Sequence, residues 1–108
     1  MMKYNIIITA PAESDITDTL NYIKQELKNP SASKELMYAI YKRINILREF
    51  PYSADLCNDI VLRSQGIHIA PINNYLIFYT VNEEIKSIIV IRFLYARRDW
   101  ITILKSNL

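Results

Sequence analysis

A chain of 108 residues, 51% hydrophobic and 22% charged, is sized and composed for one globular domain with a buried core, which excludes a disordered segment and a multidomain assembly. Its one glycine, Gly66, excludes a glycine-rich phosphate loop, and its one cysteine, Cys57, excludes an internal disulfide framework and a thiolate zinc centre. The net charge of +2 is uneven: residues 1–60 are net −1, while residues 61–108 are net +3 through Arg63, Lys86, Arg92, Arg97, Arg98 and Lys105, a balance suited to nucleic acid or an acidic protein segment.

Residues 4–9 are apolar and β-branched and predict a first strand. Pro11 stands where a helix begins and needs no amide partner, and Glu13 and Asp15 follow where acids complement the helix dipole. Ile16, Leu20, Ile23 and Leu27 form one apolar stripe, and Asn29 with Pro30 ends that helix. A second helix starts near Pro30, carries Leu36, Ile40, Ile44 and Leu47 as its stripe, widened by Met37 and Tyr41, and stops at Phe50 and Pro51. Two one-sided helices joined by a tight turn predict an antiparallel hairpin whose apolar sides need a sheet.

Residues 52–65 hold the turn formers Ser53, Asp55, Asn58 and Asp59 and read as a loop with a short strand at 60–62. Strands are predicted at 67–72, 75–81 and 87–95, joined by tight turns and therefore antiparallel. Asp99 caps a short last helix through Trp100, Ile103 and Leu104. The expected fold is a single α+β domain over residues 1–108: an N-terminal strand, an antiparallel helix hairpin, three antiparallel strands forming a curved sheet, and a short C-terminal helix.

Strand alternation carries two further expectations. Arg92 should share a face with Val90 and Leu94, and Tyr95 with Ile91 and Phe93, so the two meet only if the strand ends or bulges between them. Tyr75, Ile77 and Tyr79 should share one face, where the tyrosines could stack on RNA bases but more often pack beneath helices, which would leave Leu76, Phe78 and Thr80 on an open side. The apolar run at 6–8 is too short for a secretory core and that at 88–91 too short for a membrane span, so a cytoplasmic protein with no membrane partner is expected.

The ordered pieces resemble a known family. They are the opening strand running into Ala10, Pro11, Ala12, Glu13, Ser14, Asp15 and Ile16; Tyr22 with Ile23; and Asn29 with Pro30. Then come Ile46 with Leu47, Phe50 with Pro51, and Gly66, Ile67 and His68. The strongest are the run Asn74, Tyr75, Leu76, Ile77, Phe78, Tyr79 and the run Arg92, Phe93, Leu94, Tyr95, Ala96, Arg97, Arg98, Asp99. Over nearly the whole chain this pattern resembles the RelE/ParE toxins of bacterial type II toxin–antitoxin modules. The resemblance implies a growth-arresting protein neutralised by a cognate antitoxin, with operator DNA bound only through that antitoxin. It implies one of two chemistries: messenger RNA cleavage on the ribosome without a metal, as in RelE-like members, or inhibition of DNA gyrase, as in ParE-like members. A degenerate member would retain antitoxin binding alone. No cofactor or metal is expected.

Metal-free RNA cleavage needs a base for the 2′-hydroxyl, an acid for the leaving oxygen and cations for the phosphate. His68 is the candidate base, because imidazole titrates near neutrality. Tyr95 is the candidate acid or orienting group, with Arg97 beside it. Arg63, Arg92 and Arg98 are candidate target contacts, suited to phosphate by the planar guanidinium fork. Bland roles compete: a core histidine, a tyrosine packed at a strand end, a solvated Arg97–Arg98 turn. The sequence also departs from RNA-cleaving relatives. Those often carry Arg or Lys where Leu76 stands and concentrate Lys on the preceding strand, which here offers only His68 and Ala70. The spelling of residues 75–79 is closer to ParE-type members, although many of those have His at the position of Tyr95. The balance leans slightly to the ParE side.

Overall fold

Thr9 turns the chain from strand into helix. Its amide donates to the Val90 carbonyl (3.0 Å), its hydroxyl lies 2.9 Å from the same carbonyl and 3.1 Å from that of Ile91, and its Oγ1 accepts from the Ala12 amide. One residue thus caps the first helix and fixes it to the strand beside it. The computed structural model describes residues 3–106. Strand β1 (Asn5–Ile8) leads into α1 (Ala10–Asn21), which ends in one turn of π-helix (Tyr22–Glu26); α2 (Pro30–Glu49) and α3 (Ile60–Ser64) precede β2 (His68–Ile72), β3 (Tyr75–Asn82), β4 (Ser87–Tyr95) and α4 (Trp100–Lys105).

The sheet order is β1-β4-β3-β2, with β2, β3 and β4 antiparallel and β1 parallel to β4. A parallel pair needs a crossover, which the α1–α2 hairpin and the three-strand meander supply. The expected α+β architecture is therefore present. Asn29 caps α2 by accepting from the Ala32 amide (3.1 Å), and the Ser33 hydroxyl donates to the Leu20 carbonyl (3.0 Å), stitching the two helices near their turn.

Both faces of the sheet are covered. Beneath the hairpin, Ala12, Ile23, Leu36, Ile40 and Leu47 pack on Ile77, Tyr79, Val90 and Phe93. On the other face, Leu62 of α3 and Leu104 of α4 pack with Phe78 and Leu94, and Trp100 lies 5.3 Å from the Phe78 ring. The open side expected for Leu76, Phe78 and Thr80 is thus largely a second core, with Phe78 fully buried. It is built by a segment that sequence periodicity misassigns. Residues 60–62 are not a strand but the start of α3, which Asp59 caps by accepting from the Leu62 amide (3.1 Å). Lys105 closes onto the same carboxylate at 2.9 Å and holds Asp59 below the usual carboxylate range.

Two stripes also differ from the expectation. Leu27 is 57% exposed because the π turn, closed by its own amide on the Tyr22 carbonyl (3.1 Å), inserts an extra residue and rotates Leu27 out of the core stripe. Met37 and Tyr41 lie on the solvent side of α2 and do not widen its core face.

On β4 the register shifts: Tyr79 faces Val90 while Phe78 faces Arg92, leaving Ile91 as the extra residue of a bulge. Val90 and Phe93 therefore both enter the hairpin core, and Ile91 and Leu94 the other, against the expected alternation. Asp15 of α1 holds this irregular stretch. Its carboxylate receives Arg92 Nε (2.6 Å), Arg92 Nη2 (2.9 Å) and the Phe93 amide (3.1 Å), with the two side chains only 14% and 19% exposed.

A second polar cluster ties three distant segments at the opposite end. Glu83, in the β3–β4 turn, accepts from the Tyr4 hydroxyl (2.7 Å), the Tyr52 hydroxyl and Lys86 Nζ (2.9 Å). These donors, Tyr52 foremost, hold the Glu83 carboxyl down at about 2, and the same hydrogen bond pushes the Tyr52 phenol up to about 12.

Asp15→Ala is expected to cost about 2–4 kcal/mol in urea unfolding, because it strands a half-buried guanidinium and an edge amide together. The double variant Asp15→Ala/Arg92→Met should lose less than the two single losses combined; additive losses would show that the pair is not coupled. Glu83 makes a pH prediction with a definite sign. A carboxyl held below its ordinary value of 4.5 favours the fold above that pH, and the benefit fades as the pH falls towards about 2. Melting curves of the natural protein and Glu83→Gln should therefore differ near neutrality and converge in acid; a constant gap would refute the linkage.

Candidate functional site

His68 does not stand free. It is buried at the start of β2, its ring stacked on Tyr79 (5.0 Å) and edge-on to Tyr52 (5.8 Å). Its Nδ1 lies 2.8 Å from the Ala54 carbonyl. A carbonyl only accepts, so Nδ1 carries a proton. The Tyr79 hydroxyl donates to the Pro51 carbonyl (2.8 Å) beside it. These rings hold the residues after α2 against the sheet.

Tyr95 lies at the other end of the ladder. Along β3, His68 is opposite Tyr79 and Tyr95 is opposite Tyr75. Four residues of strand separate those positions, about 13 Å. The proposed base and acid are thus not brought together. Arg92 is committed to Asp15, which raises its affinity for its proton further. Arg63 lies exposed in the last turn of α3. Arg97 is exposed in the turn between β4 and α4, a turn fixed by the Ala96 amide on the Asn74 carbonyl (2.8 Å) and the Arg98 amide on the Tyr95 carbonyl (3.0 Å). Asp99 caps α4 as expected, accepting from the Thr102 hydroxyl (2.8 Å) and amide.

Of the six candidates, Tyr95 and Arg98 meet in one place. A groove of about 550 Å³ runs between α1 with its π turn and the tips of β3 and β4. Its α-side wall is Asp15, Asp18, Thr19, Tyr22 and Leu27; its floor and far wall are Tyr75, Phe93, Leu94, Tyr95 and Arg98. The size suits the burial of a few side chains or one small ligand. Tyr75 stacks on Phe93 (5.1 Å) and meets Tyr95 edge-on (5.6 Å), so the floor is a joined aromatic surface. Burial raises the Tyr75 phenol, with the neighbouring Tyr95 and Tyr22 adding to it. Among the described residues neither the Asp18 carboxylate nor the Arg98 guanidinium forms a hydrogen bond or ion pair, which leaves one charge of each sign on opposite walls. Among those residues there is also no His, Cys, Asp and Glu grouping that could hold a metal.

Sequence reasoning missed Asp15, Asp18, Tyr22 and Leu27 as groove residues. The signal for Asp15 was a buried arginine in need of an acid. Asp15, Asp18 and Tyr22 share one side of α1 by ordinary helical spacing, but nothing in residue spacing announces the π turn that places Leu27.

The architecture is shared with solved toxins. The chromosomal ParDE toxin–antitoxin system from P. aeruginosa superposes with a TM-score of 0.70 at 13% identity, covering 88% of this chain and 98% of that one. The free-state E. coli toxin RelE gives 0.63 at 16% identity, covering 99% and 100%. The toxin–antitoxin complex RelBE2 from Mycobacterium tuberculosis gives 0.57 at 14% identity, covering 86% and 98%. At those identities the likeness establishes the fold. No curated protein sequence matches this chain, and no helix among the described residues is long and apolar enough to cross a membrane. A family model described as the ParE toxin of the type II toxin–antitoxin system, parDE, matches residues 6–100, nearly the full length, and the chain belongs to that toxin family.

Proposed function

We propose that this toxin arrests growth by binding and blocking an essential protein, DNA gyrase in keeping with the ParE-type members it resembles, and that a cognate antitoxin neutralises it. The observation that carries this reading is the separation of His68 from Tyr95. An imidazole packed against Tyr79 with one nitrogen tied to a carbonyl cannot reach a 2′-hydroxyl held near Tyr95. The sheet face opposite the hairpin supports the same reading, since Phe78 and Leu94 are buried there with Leu62 of α3 and Leu104 of α4 and leave little open surface for an RNA strand. Tyr95, Arg97 and Arg98 serve this function as target contacts rather than as catalytic groups, and Arg63 lies outside the groove that Tyr95 and Arg98 border.

Two assays on the purified protein separate the chemistries. Supercoiling by gyrase should be inhibited, while messenger RNA in a reconstituted translation reaction stays intact; cut transcripts with unaffected gyrase would establish ribosome-dependent RNA cleavage instead. Absence of both effects would support a member that retains antitoxin binding alone. His68→Ala should lower stability by about 1–3 kcal/mol through the lost hydrogen bond and ring contacts. Inhibition per folded molecule should be unchanged. Selective loss of activity in a folded variant would return His68 to the active machinery.

A further inference from the structure

The groove at the sheet tip is polarised across its width. The α1 wall is acidic: Asp18 borders both this groove and an adjoining depression that Glu13 also lines. The floor is aromatic, and the opposite wall ends in Arg98 with Arg97 beside it in the same turn. Asp15 is neutralised by Arg92, so the charges left facing the groove are Asp18 and Arg98. A nucleic acid strand would gain from Arg98 but meet the acids of α1 along its backbone, an unfavourable arrangement for a polyanion. A polypeptide suffers no such conflict, because it can present both signs.

A second observation marks the groove as built. Leu27 enters it because α1 ends in a π turn, closed from the Leu27 amide to the Tyr22 carbonyl (3.1 Å) and followed by Lys28 at φ 51°, while Tyr22 joins Asp15 and Asp18 on one side of the regular helix before that turn. A regular α-helix would send Leu27 to the core stripe. The π turn instead leaves Leu27 57% exposed at the rim beside Tyr22 at 55%, across from Tyr95 at 38%. Tyrosines so placed provide rigid contact area at small entropic cost.

We propose that this groove docks a polypeptide segment of a partner that seats a large apolar side chain on Tyr75 and Phe93, between Tyr22 and Tyr95, with a basic side chain towards Asp18 and an acidic one towards Arg98. The proposal deepens the reading of a protein-binding toxin by naming the chemistry of what is bound. It is tested with short random peptides displayed on phage and selected against the full-length protein. Selection should enrich a basic–apolar–acidic order. An enriched peptide, resynthesised, should bind Tyr22→Ala and Arg98→Glu about tenfold or more weakly, as expected for central contacts. The exchanged variant Asp18→Arg/Arg98→Asp should select the reversed charge order. These substitutions are at the rim, and unchanged melting curves confirm that the variants fold.

Enrichment of no peptide, of peptides without that order, or of peptides indifferent to the three variants would overturn the proposal. So would a labelled single-stranded RNA that binds the natural protein through Tyr22 and Tyr95 where no peptide does. If gyrase is unaffected but the peptide result holds, the target is wrong and the groove stands. If gyrase is inhibited and no peptide is selected, the groove fails alone.

Discussion

β4 is longer than the strand that covers its outer edge, and the Asp15 carboxylate answers for the difference. β1 pairs only as far as Val90, while β4 runs on to Tyr95. An inner strand that loses its neighbour halfway leaves amides without partners, which is costly where solvent is excluded. Here the first turns of α1 take over the edge. Thr9 reaches the carbonyls of Val90 and Ile91, and Asp15 takes the Phe93 amide while receiving Arg92 through both Nε and Nη2. The helix is thereby fixed against the open half of β4. A space remains further along, where α1 diverges into its π turn. That space is the groove. The bulge at Ile91 belongs to the same device, because it resets the alternation so that Phe93 turns into the hairpin core and floors the groove with Tyr75.

The elements that could be read from the sequence were those with long apolar periodicity. The stripe from Leu36 to Leu47, the three meander strands and the Asp99 cap are all local patterns, and all are present. What escaped has non-local or phase-breaking causes. Residues 60–62 are apolar in a row, which suits a strand, but the Asp59 side chain caps a helix there and Lys105, far along the chain, secures that cap. Leu27 fits the α-helical repeat and leaves it because of one π turn. The faces of β4 depended on a bulge that no alternation rule foresees. At the candidate site, Tyr95 and Arg98 were legible as a cationic, aromatic rim. His68 and Arg92 were misleading, since a titratable residue in sequence looks alike whether it is catalytic or bound into a packed cluster; only its partners, Ala54 and Asp15, distinguish the two.

Covering both faces of a four-stranded sheet narrows where such a small protein can act. The hairpin occupies one face, and α3 with α4 occupies the other, with Leu62, Phe78, Leu94 and Leu104 almost wholly buried. The β2 edge is partly closed as well: Leu56 bridges to His68, the Ile69 amide donates to the Asp55 carbonyl, and Pro71 removes a donor further along. Function must then reside on rims and seams. The seam at the tip of β3 and β4 is distinctive because it combines joined aromatic rings with charges of both signs.

Preorganisation follows from how the two walls are held. Asp15 ties the α1 wall to the strand that carries the floor, through three hydrogen bonds of 2.6–3.1 Å. The opposite wall rides on the turn into α4, and α4 is held by Trp100 against Phe78, by Leu104 in the second core and by Lys105 on Asp59. Neither wall can shift without breaking contacts in a core or with a charged partner. A partner that enters such a groove loses little to ordering of the protein, so the binding energy of a few aromatic contacts is kept for affinity rather than consumed in assembling the site.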